Sequence, residues 1–428
     1  MKTNFKDILR SLNYRNYRLF FAGQGISLIG TWMQQIALSW LVYKLTNSAL
    51  LLGLVGFFSQ IPFFVITPFA GVLVDRLNRH RILVATQTLS MIQAFILAFL
   101  TLTGHIQVWH IVSLSLGLGL VNAFDWPARQ VFVIDIVEKK EDLSNAIALN
   151  SAMFNGARLI GPAVAGILVA AVGEGMCFLI NGISFIAVII VLLSMKVKKI
   201  LFKVSTNNIP KDIREGFKYS FGFSPIRSIL LLLGLVSLMG MPFTVLMPIF
   251  AKDILHGNSN TQGFLMASVG IGAIVGAVYL ASRKTVVGLS KIVAFSTGIF
   301  GAGLVAFSLS KNLWLSLFMI LIVGFGMVVQ LTSSNTILQT ITEEDKRGRV
   351  LSFFALSVMG MSPFGNLLAG VLANKIGAPN TVLISGAFCV LGAIVFSTRI
   401  PLFRKIVHPI YIKKGIIPGI TKKDLNSK

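Results

Sequence analysis

Two charged residues stand inside otherwise apolar sequence: Asp125 in GLVNAFDWPAR and Arg158 in NSAMFNGARLIGP. Ionisable groups in such surroundings pair with one another, bind a charged ligand or carry protons. On a helix, Asn122, Asp125 and Arg129 fall at i, i+3 and i+7, and Ser151, Asn155, Arg158 and Pro162 share one face of the next helix. Two polar stripes of this kind can meet across a cavity. A carboxylate's hold on its proton changes as a cation approaches and withdraws, so Asp125, with Arg129 or Arg158 as the moving cation, is a candidate proton-coupling site. A permanent ion pair between Asp125 and either arginine, which merely fixes the helices, is the simpler reading.

Uncharged polar residues form two more stripes. Gln24, Ser27, Thr31, Gln34 and Gln35 lie near Trp32 and Trp40, and Gln330, Ser333, Ser334, Asn335 and Gln339 follow similar spacing. Gln24, Thr31, Gln34, Gln35, Asn122, Asn155, Gln330 and Asn335 are the candidate lining of a cavity, one that suits a bulky amphiphilic solute better than a phosphate or simple ion. Hydrogen bonding between helices explains the same residues equally well. Enzyme chemistry has no foothold, because GxxxxGK[ST] and HExxH are absent and the five histidines are scattered. Cys177 and Cys389 have no CxxC partner, so packing is their expected role, and neither a metal nor a cofactor is expected.

The elements that must position these residues follow from composition. Of 428 residues, 55% are hydrophobic and 12% charged, against roughly 45–50% and about 25% in soluble domains. Apolar runs recur at 18–43, 49–74, 82–103, 108–129, 144–172, 176–195, 226–251, 261–282, 289–310, 313–338, 350–376 and 378–398. Each is near the ~20 residues a helix needs to cross a bilayer. They are not the ~10-residue alternating segments of a barrel. The expectation is an all-α integral membrane protein with twelve transmembrane helices. No cleaved signal peptide is expected, because the first run is too long for a signal core.

The formal charge of +23 could suggest nucleic acid binding, but its distribution points elsewhere. With both termini cytoplasmic, 33 of the 38 Lys and Arg residues fall in cytoplasmic segments, four face outward, and Arg158 lies within a span. This is the positive-inside pattern. The partner it implies is a lipid bilayer, not nucleic acid.

A six-and-six division follows from the largest polar interruption. It gives an N-terminal six-helix bundle (1–195), a cytoplasmic linker with an interfacial helix (196–225), a C-terminal six-helix bundle (226–398) and a basic cytoplasmic tail (399–428). Within the linker, Ile213, Phe217 and Phe221 recur at helical spacing opposite Arg214 and Lys218. At an offset of 204, GPAVAGIL (161–168) falls on FGNLLAGVL (364–372), Gly166 on Gly370 and Gly173 on Gly377. Two like-oriented repeats with a substrate site between them are a transporter plan.

The segment Gly71-Val-Leu-Val-Asp75-Arg76-Leu-Asn78-Arg79-His80-Arg81 resembles the loop between helices 2 and 3 of the major facilitator superfamily, G-x-x-x-D-R-x-G-R-R/K. The resemblance implies a conformational latch of Gly71, Asp75, Arg76, Arg79 and Arg81. Asn78 replaces the usual glycine, and asparagine tolerates the left-handed turn expected there. Gly156, Gly161, Pro162 and Gly166 resemble the helix-5 motif of the superfamily's antiporters, in which the Gly-Pro pair bends the helix and permits close packing. The stretches 13–43, 124–137, 145–166 and 177–185 resemble the branch containing bacterial macrolide efflux pumps and the enterobactin exporter. That likeness implies a monomeric secondary active transporter of the bacterial cytoplasmic membrane, exporting a drug or siderophore against protons. An uncoupled facilitator or importer on the same fold, or a non-transporting membrane receptor, are the alternatives.

Overall fold

The computed structural model describes residues 9–137, 139–195, 209–283 and 285–417. The apolar runs form helices α1 (Arg15–Thr46), α2 (Ala49–Arg76), α3 (Arg79–Leu102), α4 (Val108–Ile136), α5 (Leu143–Val172) and α6 (Glu174–Ser194). The linker forms α7 (Ile209–Gly222). The second half follows as α8 (Ser224–Ile254), α9 (Ser259–Ala281), α10 (Leu289–Leu309), α11 (Leu313–Ile341), α12 (Arg347–Ile376) and α13 (Ala378–Lys413). No strand occurs among the described residues. Eleven of these helices are long and apolar enough to cross a membrane. The twelfth, α1, has the length, at 32 residues, but its hydropathy is diluted by Arg15, Arg18, Gln24, Gln34 and Gln35.

The packing scheme repeats between halves. In the first, α3 packs on α4 and α6, and α2 on α4; in the second, α10 packs on α11 and α13, and α9 on α11. Gly173 and Gly377, one repeat apart, both hold left-handed φ values of 84° and 85° where each α5–α6 or α12–α13 turn reverses the chain.

The halves meet through α2 against α12 and α5 against α9. Glycine makes this approach possible. A Cβ on Gly53 or Gly370 would lie 2.7 Å from the other's Cα, and one on Gly263 would lie 2.8 Å from the Cα of Gly166. Both contacts lie toward the end of the molecule marked by Asn47, Gly173 and Gly377. At that end the Tyr43 hydroxyl donates to Asp253, Lys252 Nζ donates to Asn47 Oδ1 at 2.7 Å, and Gln262 Nε2 donates to Ser39 Oγ at 2.8 Å. Toward the opposite, linker end, Ser151, Asn155 and Gln130 are exposed.

Two helices of the second half are irregular. Helix α8 passes into a π segment at Val236–Gly240 and a 3-10 turn at Met241–Thr244 containing Pro242; α12 has a π segment at Leu356–Gly360. These loosened segments touch, with the Ser237 hydroxyl donating to the Val358 carbonyl. Insertions of this kind commonly mark functional bends.

The linker helix α7 docks on the start of α12. Phe217 stacks on Phe221 with ring centroids 4.5 Å apart, both rings contact Phe353, and Arg349 pairs with Glu215 at 2.9 Å. The side chain of Ile213 lies outside the described residues. Helix α13 runs past residue 398 to Lys413, and Lys414 Nζ then donates to the carbonyls of Thr340 and Thr342 at the end of α11.

Candidate functional site

Helices α3 and α4 build a buried carboxylate centre. Asp125 is 4% exposed. Its Oδ1 accepts hydrogen bonds from Thr86 Oγ1 and Gln87 Nε2, both at 2.8 Å, and its Oδ2 pairs with the Arg129 guanidinium one helical turn on. The helix runs through Pro127 and past Arg129 to Ile136, seven residues beyond the end expected from hydropathy. This extension carries Asp135, which Arg79 Nη1 meets at 3.0 Å from both carboxylate oxygens. Sequence reasoning missed Asp135 because its segment read as loop; its signal was an acid just past an apolar span, opposite the arginines of the 76–81 turn.

Arg158, on α5, is not part of the Asp125 cluster. Its Nη2 lies 3.9 Å from Met327 Sδ on α11, and its guanidinium carbon sits 5.6 Å from the centroid of the Trp32 ring on α1. Phe154 stands edge-on to Trp32 and to Trp126, with centroids 5.9 and 5.6 Å apart. Gly161 lets α1 come this close, since a Cβ there would lie 2.5 Å from that of Trp32. Pro162 is buried, and its missing N–H frees the Arg158 carbonyl. Gly166 makes the contact with Gly263 described above, whereas a methyl at Gly156 would meet nothing within 4 Å.

The polar stripes divide by burial. Thr31 and Gln35 on α1, Asn122 on α4 and Asn155 on α5 are exposed near mid-helix. Asn155 Nδ2 donates to the Ser151 carbonyl at 2.8 Å. Gln34 instead lies inside the first bundle: its Nε2 donates to Gln93 Oε1 at 2.9 Å and its Oε1 accepts from Asn181 Nδ2 at 2.8 Å. Gln24 and Gln330 are also buried, each with an amide that makes no hydrogen bond among the described residues. Asn335 accepts from Gln339 at 3.1 Å at an exposed site on α11. Two apolar grooves of about 760 and 520 Å³ flank α13 on the outside of the second half, away from this cluster.

At the α2–α3 turn, the side chains at Gly71, Asp75 and Arg76 lie outside the described residues. Arg79 holds Asp135, and Arg81 is exposed. Asn78 has φ −70° and ψ 107°, which is extended rather than left-handed; its Oδ1 accepts from the Arg81 N–H at 3.2 Å as the N-cap of α3. The residue that replaces glycine therefore starts a helix. Tyr14 donates to Asp142 at 2.6 Å and Arg10 pairs with the same carboxylate at 2.9 Å, lacing the chain's first turns to the start of α5. In the matching loop of the second half, the Lys346 ammonium donates to Glu343 and holds its carboxyl below the usual carboxylate range.

The profile of the transmembrane secretion effectors, a major facilitator family, matches residues 9–407. The chain is 28% identical to the staphyloferrin A transporter of Staphylococcus aureus over 382 residues, covering 89% of this chain and 95% of that one. It is 23% identical to macrolide efflux protein A of Streptococcus pyogenes over 391 residues, covering 89% and 96%. Among solved structures, a bacterial homologue of the human lysosomal transporter Spinster, inward-facing and unoccupied, superimposes with TM-score 0.73 at 13% identity, covering 91% of this chain and 98% of that chain. That likeness concerns the fold.

Proposed function

The chain belongs to the transmembrane secretion effector family of the major facilitator superfamily, and from that premise we propose that it is a proton-coupled exporter of a bulky amphiphilic small molecule, working as a monomer by alternating access. The names of its relatives, a siderophore transporter and a macrolide efflux protein, support a small-molecule cargo of drug or siderophore type. The linker end faces the cytoplasm of a bacterial cell, as the positive-inside distribution favours.

The observation that carries this reading is the asymmetry of the contact between halves. Gly53 against Gly370 and Gly166 against Gly263 bring the backbones together at one end, and Tyr43–Asp253, Asn47–Lys252 and Ser39–Gln262 bridge the same end. With the linker end cytoplasmic, the chain is open inward and sealed outward. Few bonds need to break for the halves to rock, and the touching π segments of α8 and α12 supply a place to bend.

Asp125 is the proton carrier in this account. Protonation removes the charge that holds Arg129, Thr86 and Gln87 on one carboxylate, and so couples a proton to the packing of α3 on α4. The Arg79–Asp135 pair ties the linker ends of α3 and α4 together within the first half. Thr31, Gln35, Asn122 and Asn155, with Trp32 and Trp126, line the cargo path.

The test is intracellular accumulation of macrolides, cationic dyes and catecholate siderophores in a susceptible bacterium with and without the gene. Lower accumulation of one class, restored by an uncoupler, is expected. Gene-dependent uptake that survives the uncoupler identifies a facilitator or importer instead, and identical accumulation of every class removes the transporter reading.

A further inference from the structure

We propose that Arg158 receives the negative group of the cargo, so that the transported molecule is an organic anion whose apolar body rests against Trp32, Trp126 and Phe154; this deepens the exporter reading and depends on it. The chain has 15 Asp and Glu residues; among those whose side chains are described, only Asp125 stands deep inside a membrane-spanning helix, and Asp135 is the next-to-last residue of α4. Asp125 is committed to Arg129, Thr86 and Gln87, and Asp135 to Arg79.

The other described acids stand at the ends of the spans or in the turns between them, apart from Asp212 and Glu215 on the linker helix α7. Asp142 and Glu174 each lie 16 residues from Arg158, about 24 Å along the axis at 1.5 Å per residue. Asp75 lies one residue from the end of α2. A guanidinium at mid-membrane is costly without a counter-charge. What meets Arg158 is a thioether at 3.9 Å and an indole face at 5.6 Å. Both are soft, apolar contacts, and among the described residues most of its five N–H donors meet no acceptor.

The surroundings select the rest of the ligand. A carboxylate or sulfonate suits the planar fork of a guanidinium, which can grip it with two parallel hydrogen bonds. The adjoining walls are aromatic, with Trp32, Phe154 and Trp126 edge to face in series, and the exposed mid-helix polar groups of α1, α4 and α5, namely Thr31, Gln35, Asn122 and Asn155, are neutral. An amphiphile with one anionic end fits this arrangement. A cationic one would bring like charge to Arg158.

The experiment uses the purified full-length protein and three probes of one shape: 1-naphthylacetate, its methyl ester and 2-(1-naphthyl)ethylamine. Affinity is read by equilibrium dialysis and movement by uptake into inside-out proteoliposomes. Wild-type protein is expected to bind the acid on the order of 10- to 100-fold more tightly than the ester. Arg158→Gln should erase that difference while ester binding persists, and Arg158→Lys should restore part of it. Persistent ester binding also shows that Arg158→Gln folds. Equal affinity for acid and ester in the wild type, a preference that survives Arg158→Gln, or failure to bind any of the three overturns the proposal. Transport of ester and amine without acid preference defeats the anion inference and leaves the exporter reading intact; binding without movement of any probe defeats the exporter reading instead.

Discussion

A single methyl group at the sealed end should unbalance the transport cycle. In Gly370→Ala the new Cβ would lie 2.7 Å from the Cα of Gly53, 2.9 Å from the carbonyl oxygen of Ala49 and 3.1 Å from the amide nitrogen of Gly53. All three are backbone atoms, so no side chain can swing aside. Carbon atoms rest at about 3.5–4.0 Å, and α2 and α12 must therefore separate by about 1 Å. Overpacking of this kind costs about 1–3 kcal/mol, which disfavours the sealed conformation by about 5- to 150-fold in population. The assay is a cross-link between Ser39→Cys and Gln262→Cys, whose parent side chains are hydrogen-bonded at 2.8 Å across the seal; the native Cys177 and Cys389 are buried. Gly370→Ala should slow the cross-link at least fivefold, whereas Gly156→Ala, with nothing within 4 Å of the added methyl, should leave it unchanged. Equal cross-linking in both variants would refute the reasoning.

Asp125→Asn is expected to leave downhill exchange of cargo intact and to abolish its accumulation against a gradient, with proton flux followed by a trapped pH dye; undiminished coupling takes Asp125 out of the mechanism. Gln34→Leu strands the amides of Gln93 and Asn181 at a cost of about 1–3 kcal/mol. It should lower the thermal midpoint of purified protein with KM unchanged, and the opposite pattern would put Gln34 on the cargo path. Asp135→Asn removes the charge that Arg79 grips with a single nitrogen, a loss of about 1.5–3 kcal/mol. The thermal midpoint of the purified protein should fall, and an unchanged midpoint would show that the pair does not hold α3 to α4.

The architecture was written in the apolar runs because lipid leaves a chain few options: backbone groups must be satisfied internally, so length and hydropathy decide the helices. The repeat was legible as well, since Gly173 and Gly377 both occupy left-handed turns, and Gly166 and Gly370 both sit at contacts between halves. What hydropathy blurred were the places where polar groups satisfy one another. Helix α4 passes through Arg129 and Asp135 because each charge finds a partner, and α1 forms a helix despite its glutamines. Burial of the polar stripes was not legible from spacing. Gln34 and Gln35 are neighbours in sequence, yet one bonds to Gln93 and Asn181 inside the bundle and the other is exposed. Asn78 looked like a substitute for glycine in a turn and serves as a cap. Nor did sequence say which arginine Asp125 would take; the i to i+4 geometry gave it to Arg129 and left Arg158 among aromatic rings.

The most direct measurement reconstitutes the purified chain into liposomes and imposes a pH gradient while following both solute and protons. Solute that accumulates only while the gradient stands, accompanied by opposite proton movement and lost when an ionophore dissipates the gradient, is the predicted result. Solute movement of equal rate with and without the gradient, or none for any solute that the gene expels from cells, would contradict the account.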